Sequence, residues 1–182
     1  MNLIFGVAGS RDTNQAFASA ISHIRSTYSG GEHTHKAETG VSNTGYLKTT
    51  GNILGLAGTD GISLLLLGGI HRPLPGWTSG SPLDNPDLTA RFLLERYLAH
   101  GLSFLDGVQG QYAIAVNDDN SGRLLLACDP GGMRTFYTSP DPGHLVFSTS
   151  LAVAATLMPG GPQTDRSLED FFLIYGFYPF NR

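Results

Sequence analysis

Few side chains in this sequence have the type and spacing to do chemistry. Cys128 is the one thiol, so no internal disulfide can form. It ends the aliphatic run Leu124-Leu125-Leu126-Ala127-Cys128. A reactive thiol needs an electropositive, accessible setting, so the run reads as a strand carrying a buried, inert one. His33 and His35 form a His-x-His pair that could give two zinc ligands. No cysteine or third histidine lies nearby to complete a four-coordinate site. They read as exposed loop residues, and no metal is expected. Two glycine-rich stretches could suggest phosphate cradles, Ser29-Gly30-Gly31-Glu32 and Pro130-Gly131-Gly132. The first follows a helical stretch instead of a strand, and the second joins two strands. Both therefore read as loop or turn.

The elements that must position these residues are legible from periodicity. Leu3 to Ala8 reads as a strand, and Phe17, Ile21 and Ile24 give one apolar face to a helix from Asn14 to Tyr28. Ser29 to Thr44 is expected to be a loop. Gly45–Thr49 and Asn52–Ala57 are expected as short strands. Asp60-Gly61 is a tight-turn signal. Ile62 to Leu67 is almost wholly aliphatic, as in a strand buried on both faces. The strand from Leu3 is expected mid-sheet, beside the strand from Ile62. His71 to Asp84 reads as a long loop. Asn85-Pro86-Asp87 combines a cap, a proline at the first helical position and a first-turn acid; Gly101 marks that helix's end. From Gly110 strands are expected over 111–117, 123–129, 135–138 and 144–148, as an antiparallel meander with a turn at 140–143. Leu151–Leu157 reads as a short helix, and Ser167-Leu168-Glu169-Asp170 opens another through Tyr175. The fold class is therefore α+β with antiparallel sheets.

Bulk properties exclude several function classes. Apolar residues make up 41% and charged residues 14%, with 24 Gly. That favours a compact, turn-rich domain over a disordered chain. The formal net charge is −4 and no basic cluster is present, so neither nucleic acid nor a membrane surface is an expected partner. The opening residues have no basic segment leading into an apolar one, and no apolar run approaches the roughly 20 residues of a membrane span. A cytoplasmic setting is expected.

The order of these pieces resembles the glutaminase domain of the asparagine synthetase family. Gly101-Leu102-Ser103-Phe104-Leu105-Asp106-Gly107-Val108-Gln109-Gly110-Gln111-Tyr112-Ala113-Ile114-Ala115 looks like that family's Gly, then F-x-x-x-L-x-G-x-F-A-F. Leu124 to Asp129 resembles L-L-L-A-R-D, Gly132 to Tyr137 resembles G-x-x-P-L-Y, and Leu145 to Ser150 resembles the F-A-S-E strand. Leu168 to Phe177 resembles the helix with which the domain usually ends. Ile4 to Gly9 looks like the opening M-C-G-I-F-G-x-A-G, and Leu67 to Arg72 looks like N-G-E-I-Y-N. The resemblance covers nearly the whole chain, with Ser29 to Thr49 unaligned. It implies a class II glutamine amidotransferase fold of the N-terminal-nucleophile type, a four-layer αββα sandwich of two antiparallel sheets flanked by helices.

The resemblance also implies which positions would carry the chemistry. In the family an N-terminal cysteine attacks the glutamine amide, its own α-amino group acts as base, and an Asn side chain with a Gly N–H holds the oxyanion. Here the nucleophile slot falls on Asn2, whose carboxamide cannot replace a thiolate. The oxyanion pair falls on Leu67, which donates nothing, and Gly68, which keeps its N–H. The family's Glu falls on Gly69, and the acid that grips the substrate's α-amino group falls on Thr89. The arginine for the substrate carboxylate has no clear counterpart. Asp106 and Asp129 match positions that look structural, capping turns. His71 reads as a surface loop residue.

No catalytic residue and no cofactor is therefore expected in this chain. The expected function is a non-catalytic scaffold or binding module, residues 1–182 forming one domain with the synthetase domain outside this chain. Relatives that lost glutamine as nitrogen donor, such as β-lactam synthetases and lasso-peptide cyclases, look similar. The implied partner is an ATP-dependent synthetase domain or separate subunit, or a second copy of the chain. The alternatives are a working glutamine-hydrolysing domain and a small-molecule sensor or dimerisation domain.

Overall fold

The computed structural model describes residues 2–9, 13–27, 32–38, 42–48, 53–71, 76–77, 85–139 and 144–158. Within these, strands β1 (Leu3–Gly9), β2 (Glu32–Glu38), β3 (Ser42–Lys48), β8 (Tyr137–Thr138) and β9 (His144–Ser148) form a five-stranded sheet in the order β2-β3-β1-β9-β8. Strands β4 (Leu54–Thr59), β5 (Ile62–Ile70), β6 (Gly110–Asp118) and β7 (Arg123–Cys128) form a four-stranded sheet in sequence order. All the pairings are antiparallel. Helices α1 (Thr13–Thr27), α2 (Pro86–His100) and α3 (Leu151–Leu157), with a short 3-10 helix at Gly101–Leu105, complete the described elements.

Side-chain alternation along the strands produces the layers. On β5, Ile62, Leu64, Leu66 and Ile70 join a cluster with Leu93, Leu94 and Tyr97 of α2. The intervening Leu65 and Leu67 join a different cluster with Ile4, Tyr46 and Phe147 of the five-stranded sheet. On β1, Leu3, Phe5 and Val7 face Phe17, Ala20 and Ile24 of α1 and Val153 and Leu157 of α3. A period of two buried on both faces dictates a sheet covered twice. The outcome is the αββα sandwich: α1 and α3, the five-stranded sheet, the four-stranded sheet, then α2. Phe5 and Phe17 stack at 5.3 Å across the outer layer.

Several local expectations hold. Asn85 caps α2 by accepting the Leu88 N–H, Pro86 follows it, and Gly101 ends the helix at φ +59. Asp60-Gly61 makes a two-residue turn between Thr59 and Ile62, with Gly61 at φ +78. Strand β1 lies mid-sheet as expected.

Others need correction. Strand β1 is not beside β5 in one sheet; it pairs with β3 and β9, and β5 faces it from the opposite sheet. The expected loop 29–44 contains β2 and the start of β3, paired in register His35↔Tyr46 and Ala37↔Thr44. Polar strands such as Glu32–Glu38 carry no apolar alternation, so periodicity cannot announce them. His33 and His35 are consequently on a strand. The late strands are not one meander either: β6 and β7 pair in one sheet and β8 and β9 in the other. The chain crosses between sheets over residues 129–136. The turn at 140–143, most of 71–84 and the helix at 167–175 lie outside the described residues.

Close approaches need glycine at several positions. A Cβ on Gly6 would meet the Phe147 ring at 2.3 Å, and one on Gly55 would meet the Pro86 carbonyl at 2.0 Å. The second is where α2 docks on β4, and there the obstacle is backbone, which cannot rotate away. Asp87 reinforces that junction by accepting the Leu56 N–H at 2.9 Å. Gly55→Ala is expected to lower stability by about 1–3 kcal/mol, the usual range for overpacking, measured by urea denaturation. A neutral effect would show that α2 is not seated as described.

Candidate functional site

The positions singled out by sequence converge only in part. Asn2 is half-buried ahead of β1. Ile4, two residues on, shares the inter-sheet cluster with Leu67. Leu67 is 2% exposed and pairs with Leu54 and Ala113 on its two neighbouring strands. Its side chain packs in the seam between the sheets. Gly68 adopts φ +110, and its N–H donates to the Ile53 carbonyl at 2.7 Å. The backbone donor kept at the oxyanion slot is thus engaged in the β4–β5 ladder. A Cβ at Gly68 would strike the Gln111 carbonyl at 2.0 Å, so close strand packing already accounts for glycine there. Gly69 opposes Gln111 in the same register.

Thr89 belongs to another layer. It is fully buried on α2, and its Oγ1 donates to the Asn85 carbonyl at 3.1 Å. Helix α2 covers the face of the four-stranded sheet away from Leu67. His71 is exposed at the end of β5. Cys128 is half-exposed instead of buried. It sits on β7, an edge strand of the sheet, whose outer face is less completely covered than that of β5.

A residue that motif comparison missed is Lys48. It is half-buried at the end of β3, and the register Leu3↔Leu47 brings it to the sheet end that carries Asn2. It lay in the unaligned segment, and nothing in its local sequence marks it. Its position became visible only once β3 was paired.

The strongest electrostatic features are structural. Asp129 is 5% exposed and accepts the Met133 N–H at 3.1 Å and the Arg134 N–H at 2.8 Å. Burial raises its carboxyl pKa, but these backbone donors, with others from Tyr112 and Gly131, outweigh burial and hold it below the usual range. Asp118 is 9% exposed, accepting the Tyr97 hydroxyl at 2.9 Å and the Ser121 N–H at 3.1 Å. It too is lowered against the opposing effect of burial. Burial, then Asp118, pushes the Tyr97 phenol up. Asp129 fixes the turn from which the chain leaves the four-stranded sheet, and Asp118 fixes the β6–β7 hairpin. The turn-capping reading of Asp129 is therefore visible as geometry.

Residues 87–155 match the sequence model for the family described as "Glutamine amidotransferase domain". That stretch, from α2 to α3, is what this chain has in common with the family. The fold of the chain is similar to that of glutamine phosphoribosylpyrophosphate amidotransferase from B. subtilis, solved with ADP and GMP, with a TM-score of 0.53 at 14% identity. That similarity covers 85% of this chain and 43% of the other, so this chain spans less than half the length of that protein. No curated protein matches the sequence. No helix of the described residues is long and apolar enough to cross a membrane.

Two outcomes are expected from this geometry. Leu67→Ala should behave as a core truncation, costing on the order of 2–5 kcal/mol in chemical denaturation; a loss near zero would mean the side chain is not packed in the seam. Acid should also destabilise the fold. Carboxyls with depressed folded-state values contribute fully above the ordinary Asp value of about 3.9, and the contribution is lost as pH falls through the folded-state values. Asp118→Asn and Asp129→Asn combined should flatten stability against pH below about pH 4. An unchanged slope would assign acid sensitivity elsewhere.

Proposed function

We propose that this chain is a non-catalytic glutaminase-like domain of an asparagine-synthetase-type, amide-forming ligase, acting as scaffold or binding module. The observation that carries the reading is Leu67, packed in the inter-sheet seam where the resemblance calls for an oxyanion donor. Two further observations support it. The adjacent Gly68 N–H is engaged by Ile53, and the nucleophile slot holds Asn2. Removing one oxyanion donor costs about 10²–10³ in rate; replacing the nucleophile as well removes the covalent route.

In this reading residues 1–182 are one domain, whose partner is an ATP-dependent synthetase domain or subunit. Adenylation and amide formation belong to that partner. The domain here uses no cofactor or metal, and the reading places it in the cytoplasm.

The purified chain is expected to release no ammonia from glutamine above background. It should also resist time-dependent labelling by a glutamine-analogue electrophile, read by intact-mass spectrometry. Glutamine-dependent ammonia release would overturn the reading, and label recovered at Cys128 would identify that thiol as a substitute nucleophile.

A further inference from the structure

The seam between the sheets is closed by leucines at one end of β5 and open at the other. Near the β4–β5 hairpin a cavity of about 300 Å³ is lined by Thr44 and Tyr46 of β3 and by Leu56, Gly58, Ser63 and Leu65 of β4 and β5. None of Asn2, Leu67, Gly68, Gly69 and Thr89 lines it. It is therefore separate from the glutaminase slots, and the inference does not rest on their loss.

The polar groups around this cavity are not equivalent. Asn117 of β6 accepts from the Ser42 hydroxyl at 2.5 Å and donates to Thr44 Oγ1 at 2.8 Å. These side chains, all at most 2% exposed, satisfy one another across the seam. Ser63 pairs with Asn117 in the β5–β6 register. By alternation with Leu65 and Leu67 it faces the same seam. Its Oγ is nevertheless buried with no hydrogen-bond partner among the described residues. A buried hydroxyl in that condition costs free energy. A ligand atom entering the cavity would satisfy it.

Charge narrows the ligand. The Asp87 carboxylate accepts the N–H of Leu56, a lining residue. It lies close enough to Tyr46 to add to burial in raising that phenol's pKa. No basic side chain lines the cavity, so nothing in its lining would pair an anion. Most of the other lining residues are apolar, among them Leu56, Ala57, Leu64 and Leu65. The volume is at the small end of the roughly 300–1,000 Å³ of ligand pockets.

From this arrangement we infer that the inter-sheet cavity is a binding site for a small neutral molecule with an apolar body and one hydroxyl or carbonyl, which hydrogen-bonds to Ser63. The cavity adjoins, across Leu56 and Gly58, the open groove of about 570 Å³ on the outer side of β4, whose further lining includes Asp87, Arg91, Glu95 and Leu98 of α2.

The test uses the full chain and two probes of similar shape, 4-methylphenol and toluene, titrated by two-dimensional NMR. Saturable binding of 4-methylphenol, tighter than that of toluene and with shifts centred on β3, β4 and β5, is expected. Ser63→Ala should weaken 4-methylphenol roughly three- to tenfold, the worth of one hydrogen bond, and leave toluene unchanged. Ser63→Leu should abolish binding of both probes, while Leu98→Ala in the outer groove should alter neither. Circular dichroism verifies that each variant is folded, and Ser63→Ala alone decides the question if Ser63→Leu is not. Absence of saturable binding in the wild-type chain would overturn the inference. So would equal weakening of both probes by Ser63→Ala, or loss of binding in Leu98→Ala.

Discussion

The structure depends on one apolar seam, the packing of Ile4 and Phe147 of one sheet against Leu65, Leu67, Ala113 and Ala115 of the other. Each sheet is also covered by helix on its outer face, so its central strands must be apolar at nearly every position. Strands β1, β5 and β6 meet that requirement. The seam decides function as well as fold. In the function proposed here, the oxyanion slot implied by the family resemblance falls at the seam's margin. Here that margin holds a leucine among leucines, and its removal would cost packing before it affected any chemistry.

Polar groups within the sandwich work mainly to fix turns and to bridge the sheets. Asp129 gathers backbone donors where the chain leaves one sheet for the other. Asp118 ties α2 to the β6–β7 hairpin through the Tyr97 hydroxyl. Asn117 bridges the sheets through Ser42 and Thr44. These interactions are nearly self-sufficient, which makes the unpartnered Ser63 hydroxyl informative. It marks the one described stretch of the seam where the protein's own groups do not complete the hydrogen bonding.

What was legible in the sequence follows from how each element is stabilised. The strand over 62–67 declared itself because both its faces are buried, and α2 because Asn85, Pro86 and Gly101 act locally. Strand β2 was invisible because its residues are polar and its existence depends on pairing with β3. The placement of β1 and β5 in facing sheets was equally hidden. Two apolar strands packed face to face have the same local pattern as two strands side by side. For the candidate site, motif order identified Leu67 and Gly68, but only the coordinates show the Gly68 N–H directed at Ile53. Motif order likewise puts the family's acid at Thr89, but it cannot tell which layer a helix occupies. Lys48 escaped because its position is a property of sheet register.

In the function proposed here, the margin of the seam does not recognise glutamine. A zwitterionic amino acid needs both its charges paired on leaving water, and Asn2, Leu67, Gly68, Gly69 and Thr89 carry no side-chain charge. Isothermal titration calorimetry of the chain with glutamine tests this most directly. The account predicts no saturable heat at millimolar glutamine; stoichiometric binding, lost on replacing Lys48 with Met, would contradict it and show that the pocket was rebuilt around that cation.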